Sequence, residues 1–282
     1  MENIEHLLDK IQVLECNLVD LSSVKSLIAD VRPDKIFHLA AQSFVPSSWN
    51  APAESLTTNI ISQLNIFEAL REAKLFDTWI QIACSSEEYG MVYPNEVPIK
   101  ETNPLRPLSP YAVSKVGQDY LAYQYFMSYG IKAVRTRGFN HTGPRRGEVF
   151  VCSNFSKQGV EIEKKKRPPV VYVGNLDAER DFTDVRDMVR AYWLSLEKCE
   201  PGEVYNICSG EAISIKHLLN MVIEQTGIQI EVKQDPARLR PSDVPLLKGD
   251  FSKFHKATGW KPAIPFKQTL HDIMDFWRES IR

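Results

Sequence analysis

The chain has 282 residues, of which 43% are hydrophobic and 25% are charged, so it is long enough to bury a full core. Its formal net charge of −2 gives no bulk electrostatic reason to bind nucleic acid or a membrane surface. Its five scattered cysteines lack C-x-x-C spacing, so we expect reduced thiols and neither a zinc site nor disulfides. The sequence has no signal-peptide pattern and no apolar run near the roughly 20 residues of a membrane span, so we expect a cytoplasmic protein.

Strand and helix patterns alternate over the first half of the chain. The predicted strands are residues 11–14, 35–40, 79–83 and 132–136. The predicted helices are residues 22–31, with Asp20 or Ser22 as the cap, 53–73 and 110–129. This alternation predicts right-handed βαβ units and a doubly wound parallel α/β sheet, in which ligands bind beyond the carboxyl ends of the strands.

The pattern changes after about residue 145, where Arg-, Lys- and Pro-rich loops separate short elements before a terminal helix at 265–279. We therefore expect one domain over 1–145 and a smaller substrate-binding lid over 146–282, some of whose segments return to the sheet. The chain contains no G-x-x-G-x-x-G turn, with which a dinucleotide-binding fold opens. We interpret this as the absence of the first βαβ portion, on the order of 35–50 residues.

Two motifs carry candidate catalytic groups. In S-S-E-E-Y-G (85–90), which follows a buried strand, Ser85 and Glu87 are expected to face the same side. In Y-A-V-S-K (111–115), Tyr111 and Lys115 are one helical turn apart, and the ammonium is expected to lower the pKa of the phenol. Each motif alone is weak, and the first could be a solvated strand end, but their order along the chain strengthens both.

Three loops supply basic and polar residues at positions 137–147, 174–182 and 238–243. An isolated arginine is usually part of a surface ion pair, whereas two arginines beside the lid of such a sheet favour a diphosphate ligand. The six histidines have no metal-ligand spacing, so no metal is expected, and His38 is interpreted as a core residue of its strand. The run 161–167 is interpreted as a solvated helix end.

With these motifs in this order, the chain resembles the extended short-chain dehydrogenases/reductases that modify nucleotide sugars. The resemblance implies a Rossmann-like domain over 1–145, an NADP or NAD cofactor, a GDP-linked hexose substrate and a homodimer. The catalytic positions implied are Ser85, Ser86, Glu87, Tyr111 and Lys115. The cofactor-binding positions implied are Asn17, Leu18, Leu39, Ala40, Ala41, Gln42, Tyr111 and Lys115. The substrate-binding positions implied are Ser43, Glu87, Asn140, Arg180 and Arg240.

Two groups within that family share the most with this chain. The GDP-4-keto-6-deoxy-mannose reductases share S-S-E-E-Y-G and the R-D-F-T-D-V-R-D stretch at 180–187, and we expect this reaction, which would yield GDP-D-rhamnose. The GDP-mannose 4,6-dehydratases share A-A-Q-S-F-V (40–45) and P-R-R-G-E-x-F-V (144–151), and they remain the alternative. Because the Gly-rich turn is absent, a non-catalytic sugar-nucleotide-binding or interaction subunit also stays open.

Overall fold

The computed structural model describes residues 2–239 and 244–282, and its centre is a parallel sheet. The helices are α1 (Leu21–Val31), α2 (Val45–Asn50), α3 (Pro52–Leu56), α4 (Ser62–Glu72), α5 (Pro110–Tyr129), α6 (Val151–Glu163), α7 (Val185–Lys198), α8 (Ile215–Thr226), α9 (Ser252–Thr258) and α10 (Phe266–Ser280). The strands are β1 (Lys35–His38), β2 (Trp79–Ser85), β3 (Lys132–Gly138), β4 (Asn140–Thr142), β5 (Val170–Val173), β6 (Glu179–Asp184), β7 (Val204–Ile207), β8 (Ala212–Ser214), β9 (Glu231–Gln234) and β10 (Leu246–Leu247).

The central sheet has the order β1–β2–β3–β7, and every neighbouring pair is parallel. The register aligns Ser85 at the end of β2 with Gly138 at the end of β3. Helices α1, α4 and α5 pack with these strands through a core that includes Phe67, Leu70 and Ile80. The polar residues that follow β2 and β3 therefore emerge at the same edge of the sheet.

The long helix predicted at 53–73 is interrupted by a π-helical segment, Thr57–Ile61, between α3 and α4. The π segment places the buried side chain of Asn59 between α5 and the loop after β1. Its Oδ1 accepts from Gln42 N at 2.8 Å, and its Nδ2 donates to Ser114 Oγ at 2.8 Å. Asn59 thus fixes the loop after β1 to α5. Short π-helical segments of this kind occur frequently at functional sites.

The second half of the chain builds small sheets against its own core. Strand β6 pairs with β4, β8 and β10, and β5 pairs with β9. Helices α6, α8 and α10 pack around a cluster that includes Val160, Leu218 and Met274. Strand β7, by contrast, pairs with β3 in the central sheet. This is the return of a later segment to the sheet that the sequence pattern suggests.

The structure confirms most predicted elements and corrects one. Helix α5 matches the predicted 110–129, and α1 is capped by Asp20, whose carboxylate accepts from Ser22 N. The strand predicted at 11–14 is wrong, because residues 12–17 have no regular secondary structure and no strand pairs with them in the described chain. A short β-branched run makes a strand only where a neighbour completes its hydrogen bonds.

Candidate active site

The end of β2 carries the first part of the site. Ser85 caps the short 3₁₀ helix Ser86–Glu88, and its Oγ accepts from Glu87 N at 3.2 Å. Gly90 closes this turn with φ +53°, and a Cβ there would lie 1.8 Å from Arg106 O. Only glycine fits that position, so the S-S-E-E-Y-G motif encodes a tight turn that presents Ser85 and Glu87 beyond the sheet.

The first turn of α5 carries the second part. Ser109 caps the helix by accepting from Ala112 N at 3.1 Å, and Pro110 occupies its first position. Tyr111 is 8% exposed and Lys115 is 4% exposed. Lys115 Nζ donates to Ala83 O at 2.7 Å, which ties α5 to the carboxyl end of β2. The two motifs are thereby held side by side.

The two motifs meet in a cavity of about 410 Å³, which we call the inner cavity. The sequence-predicted site residues that line it are Leu39, Ala41, Ser43, Ser85, Ser86, Glu87, Tyr111, Lys115 and Asn140. Apolar side chains of Phe139, Val185, Met188 and Tyr192 form part of its wall. The inner cavity therefore combines many polar groups with apolar wall residues, and such a mixed lining can hold a cofactor or a polar small ligand.

A second cavity of about 610 Å³, the outer cavity, lies toward the lid. It is lined by Arg180 and Arg238, by several asparagines and by aromatic rings, including Trp49 and Phe155. Glu87 and Asn140 line both cavities and mark where they join. Asn140 Nδ2 is buried and has no hydrogen-bond partner among the residues described. The joined cavities offer one polar junction and two guanidinium groups further out.

Arg180 is firmly held. Its Nη1 donates to Val244 O at 2.6 Å and to Glu179 O at 2.9 Å. Arg238 contacts side chains instead: its Nη1 donates to Asn154 Oδ1 at 2.9 Å, and its Nε lies 3.4 Å from Asp235 Oδ2. Arg238 was not among the substrate-binding positions predicted from the sequence, although it is the first residue of the basic loop 238–243.

The protonation of Tyr111 differs from the sequence-based expectation. Burial raises the pKa of Tyr111 above its usual value of 10, and the hydrogen bond with the Ser85 side chain lowers it by less. Arg146, which lines the same cavity, also lowers this pKa, and the Lys115 ammonium lies 5.9 Å from the centroid of the Tyr111 ring. Lys115 donates to Ala83 O, and burial lowers the pKa of its own ammonium. The net shift of the Tyr111 pKa is thus upward because burial outweighs the groups that lower it, and the contribution expected from Lys115 stays a prediction.

Several predicted cofactor positions lie away from both cavities. Asn17 Oδ1 accepts from Val19 N within a local turn, and Leu18 packs against the core. The Gln42 backbone N–H donates to Asn59 Oδ1 and its side-chain Nε2 donates to Phe44 O, so Gln42 holds the loop. Ala40 lines neither cavity.

Arg240, which was predicted together with Arg180 to bind the substrate, lies outside the described residues. The roles assigned to all the site residues stay predictions.

Besides Arg238, two residues of the site were not predicted from the sequence, namely Arg146 and Asn59. Arg146 stacks on Phe150, with its guanidinium carbon 3.6 Å from the ring centroid, and faces the inner cavity. The P-R-R-G motif in the sequence indicates a basic loop but does not distinguish Arg145 from Arg146. In the structure Arg145 is exposed and donates to Asn3 O. Asn59 left no signal, because a buried asparagine inside a helical pattern reads as an ordinary polar position.

The fold and the site together define an extended short-chain dehydrogenase/reductase of the nucleotide-sugar type. The sequence profile described as GDP-mannose 4,6 dehydratase matches residues 1–273, and the chain belongs to that family.

Curated relatives include two activities. The GDP-6-deoxy-D-mannose reductase of Pseudomonas aeruginosa is 35% identical over 250 residues, covering 89% of this chain and 82% of the relative. The GDP-mannose 4,6-dehydratase of Vibrio cholerae is 33% identical over 288 residues, covering 92% of this chain and 76% of the relative.

Solved structures agree with this assignment. The structure of RMD from Pseudomonas aeruginosa complexed with NADPH has a TM-score of 0.90 and 30% identity, covering 99% of this chain and 95% of that one. The Thermus thermophilus UDP-glucose 4-epimerase complex with NAD has a TM-score of 0.83 and 30% identity, covering 94% of this chain and 84% of that one.

These comparisons confirm the predicted family, the Rossmann-like α/β fold and the enzyme class. They also agree with the predicted NADP or NAD cofactor. No helix in the described part of the chain is long and apolar enough to cross a membrane.

Proposed function

We propose that this chain is an NAD(P)-dependent GDP-4-keto-6-deoxy-D-mannose 4-reductase, which forms GDP-D-rhamnose. The observation that carries the proposal is the convergence of Ser85, Tyr111 and Lys115 on one cavity that opens into an arginine-bearing one. The reductase named among the relatives supports the reaction, and the TM-score of 0.90 to RMD complexed with NADPH supports the cofactor.

The inner cavity fits the nicotinamide and its ribose. Lys115 has three N–H donors, and among the described residues Ala83 O is its one hydrogen-bond acceptor, so it can also bind ribose hydroxyls. The apolar wall at Val185 and Met188 suits a flat ring, and Arg146 suits a phosphate. When bound, the reduced nicotinamide supplies the hydride for C4 of the keto sugar.

The side chains of the site handle the proton. Tyr111 donates its phenolic proton to the oxygen that develops negative charge at C4. Burial raises the pKa of Tyr111 and keeps it protonated at neutral pH, which suits an acid in a reduction. The Ser85 hydroxyl donates a second hydrogen bond to the same oxygen, because it lies on the turn facing Tyr111.

The outer cavity suits a nucleotide sugar. We place the hexose at the junction, where Glu87, Asn140 and Ser43 can contact its hydroxyls. We place the diphosphate near Arg180 and Arg238, because guanidinium groups pair with phosphate. Residues 1–145 then hold the cofactor, and most of 146–282 covers the substrate.

A GDP-mannose 4,6-dehydratase is the second candidate, and Glu87 is the observation that favours it. Its carboxylate lines both cavities, where a base could remove a proton from C5 and assist loss of water from C6. In that reaction Tyr111 acts first as a base. The raised pKa of Tyr111 disfavours this first step. The relatives named as GDP-mannose 4,6-dehydratases support the dehydratase reaction as a whole.

We further propose a homodimer formed through α5. Val113, Tyr120, Tyr123 and Met127 recur at helical spacing on this helix, and Tyr120 and Met127 are 56% and 63% exposed. An apolar helix face of this kind suits a second copy of the same chain. Sedimentation with Tyr120→Glu tests it: a dimer that becomes monomeric supports the contact, and a wild-type monomer contradicts it.

The test of the reaction is direct. The purified chain is incubated with GDP-4-keto-6-deoxy-D-mannose and NADPH or NADH, and nicotinamide oxidation is followed alongside GDP-mannose with oxidised cofactor. Stoichiometric oxidation with the keto sugar supports the reductase. Loss of water from GDP-mannose without net oxidation supports the dehydratase. If the chain catalyses neither reaction, both candidate functions are contradicted.

A further inference from the structure

A buried carboxylate lies behind the catalytic turn. The Glu88 side chain is fully buried, and its Oε1 accepts from Ser85 N at 2.8 Å. Together with the bond from Glu87 N to Ser85 Oγ, this closes a capping box over the three residues of the turn. Glu88 therefore holds the backbone that presents Ser85 and Glu87, although it lines neither cavity.

Glu88 is only partly neutralised. Arg137 Nε lies 2.9 Å from Asp119 Oδ2 and 3.3 Å from Glu88 Oε2, so the guanidinium is shared between two buried acids. Asp119 has a second partner in Arg135 Nη1 at 2.6 Å. Glu88 Oε2 is buried with no hydrogen-bond partner among the described residues. A buried charge with incomplete hydrogen bonding is costly, so protonation of Glu88 removes that cost.

Charged and titratable groups face Glu88 from each neighbouring element. They are Cys84 on β2, Tyr89 after the 3₁₀ turn, Tyr111, Lys115 and Asp119 on α5, and Arg137 on β3. Burial, and then Asp119, raise the pKa of Glu88 to about 8, while Arg137 and Lys115 oppose that rise. The proton state of Glu88 thus changes within the range in which enzymes are assayed.

The same group has ligand types that suit a metal, but a guanidinium already lies against its carboxylates. One ligand atom each from Cys84, Glu88 and Asp119 lies within 4.8 Å of the others. The Arg137 guanidinium sits against both carboxylates, so a cation there would meet a fixed positive charge. The arrangement favours proton uptake over metal binding.

We propose that Glu88 is a positioning residue of the reaction, whose anionic form holds the turn of Ser85 and Glu87 and supports the charge of Lys115. The proposal rests on the reductase function proposed above. The anion accepts the Ser85 N–H more strongly than the neutral acid does. It also favours the ammonium of Lys115, which burial otherwise disfavours. Protonation weakens both effects, so turnover should fall as Glu88 becomes neutral.

The test compares Glu88→Gln, Glu88→Leu and the matched control Glu101→Gln. Glu101 is a partly buried acid whose pKa is also raised by burial, and its side chain accepts from Asn206 N rather than from Ser85 N. The kcat of the wild type should fall through an inflection near pH 8 as the pH is lowered, and Glu101→Gln should keep that inflection. Glu88→Gln should lose the inflection, with kcat at pH 9 lowered about tenfold and KM within about threefold. Glu88→Leu, which also loses the acceptor for Ser85 N–H, should have the lower kcat of the two variants.

A second readout does not need activity. Because folding raises the pKa of Glu88, its contribution to stability is present at low pH and is lost as the pH rises toward 8. The urea midpoint of the wild type relative to Glu88→Gln should therefore fall between about pH 5 and pH 8. The proposal is overturned if Glu88→Gln keeps the kinetic inflection or if this relative midpoint does not change with pH. A wild type that shows the stability trend but oxidises no nicotinamide overturns the proposed reaction, and with it the role in turnover.

Discussion

Tyr111→Phe tests the proposed acid with the smallest change in shape. The substitution removes one oxygen from a side chain that is 8% exposed and leaves its ring, α5 and the neighbouring Lys115 in place. General acid catalysis contributes about 10²–10⁴-fold, which corresponds to roughly 3–5 kcal/mol of the barrier. Ser85 still donates to the substrate oxygen, so part of the stabilisation survives and a loss of about 10³-fold is expected.

The assay is the single-turnover rate of nicotinamide oxidation with saturating keto sugar, together with the KM for the sugar. Tyr125→Phe is the matched control, because Tyr125 is a buried tyrosine on the same helix whose hydroxyl donates to Glu68, away from both cavities. We expect the rate to fall only for Tyr111→Phe, with KM unchanged within about threefold.

The outcome that refutes the reasoning is a Tyr111→Phe rate within about threefold of the wild type at neutral pH. In that case another group or water protonates the alkoxide, and the convergence of Tyr111 with Ser85 is not the catalytic arrangement. A large rise in KM with an unchanged rate would also count against the assignment, because it would place Tyr111 in substrate binding.

Four further predictions follow from named contacts. Lys115→Met should raise the KM for the nicotinamide cofactor by tenfold or more, because it removes the donor proposed for the ribose, and initial rates measure it. Arg238→Met should raise the KM for the GDP-sugar about tenfold, roughly 1.4 kcal/mol, with little change in kcat. Asn59→Leu should lower the free energy of unfolding by about 2–4 kcal/mol in urea, because it leaves buried groups of the Gln42 loop unpaired. Burial lowers the pKa of His38 from 6.5 to about 4, so the stability of the wild type relative to His38→Gln should fall by roughly 3 kcal/mol as the pH falls from 6.5 to 4.

Each of these predictions has a control or a contrary result. Arg71→Met, on an exposed arginine paired with Glu68, should leave both KM values unchanged. Asn95→Leu, on an exposed asparagine, should change stability by less than about 0.5 kcal/mol. A cofactor KM unaffected by Lys115→Met would remove Lys115 from the ribose site, and parallel pH curves for the wild type and His38→Gln would contradict a neutral buried histidine.

The elements that the sequence predicted well are those with strong local signals. Helix α5 begins at the Ser109–Pro110 cap and ends at Gly130, which has φ +72°. Both ends are encoded by residues whose backbone preferences are local, so their positions can be read without a tertiary structure. The buried strand β2 is likewise a mostly apolar run, interrupted at Gln81. The run at 11–14 has no partner strand in the described chain and forms no strand.

The sequence by itself determined the family, the parallel α/β fold and the catalytic candidates, because ordered motifs such as S-S-E-E-Y-G and Y-A-V-S-K tie chemistry to position. Only the tertiary structure decided which polar residues face a cavity. It placed Arg146 against the inner cavity and Arg145 at the surface, and it paired the Gln42 side chain with Phe44 O. It also set the charges, since the pKa values of Tyr111 and Glu88 depend on burial and on neighbours far apart in the chain. Desolvation and pairing are properties of packed space, and no spacing along the chain records them.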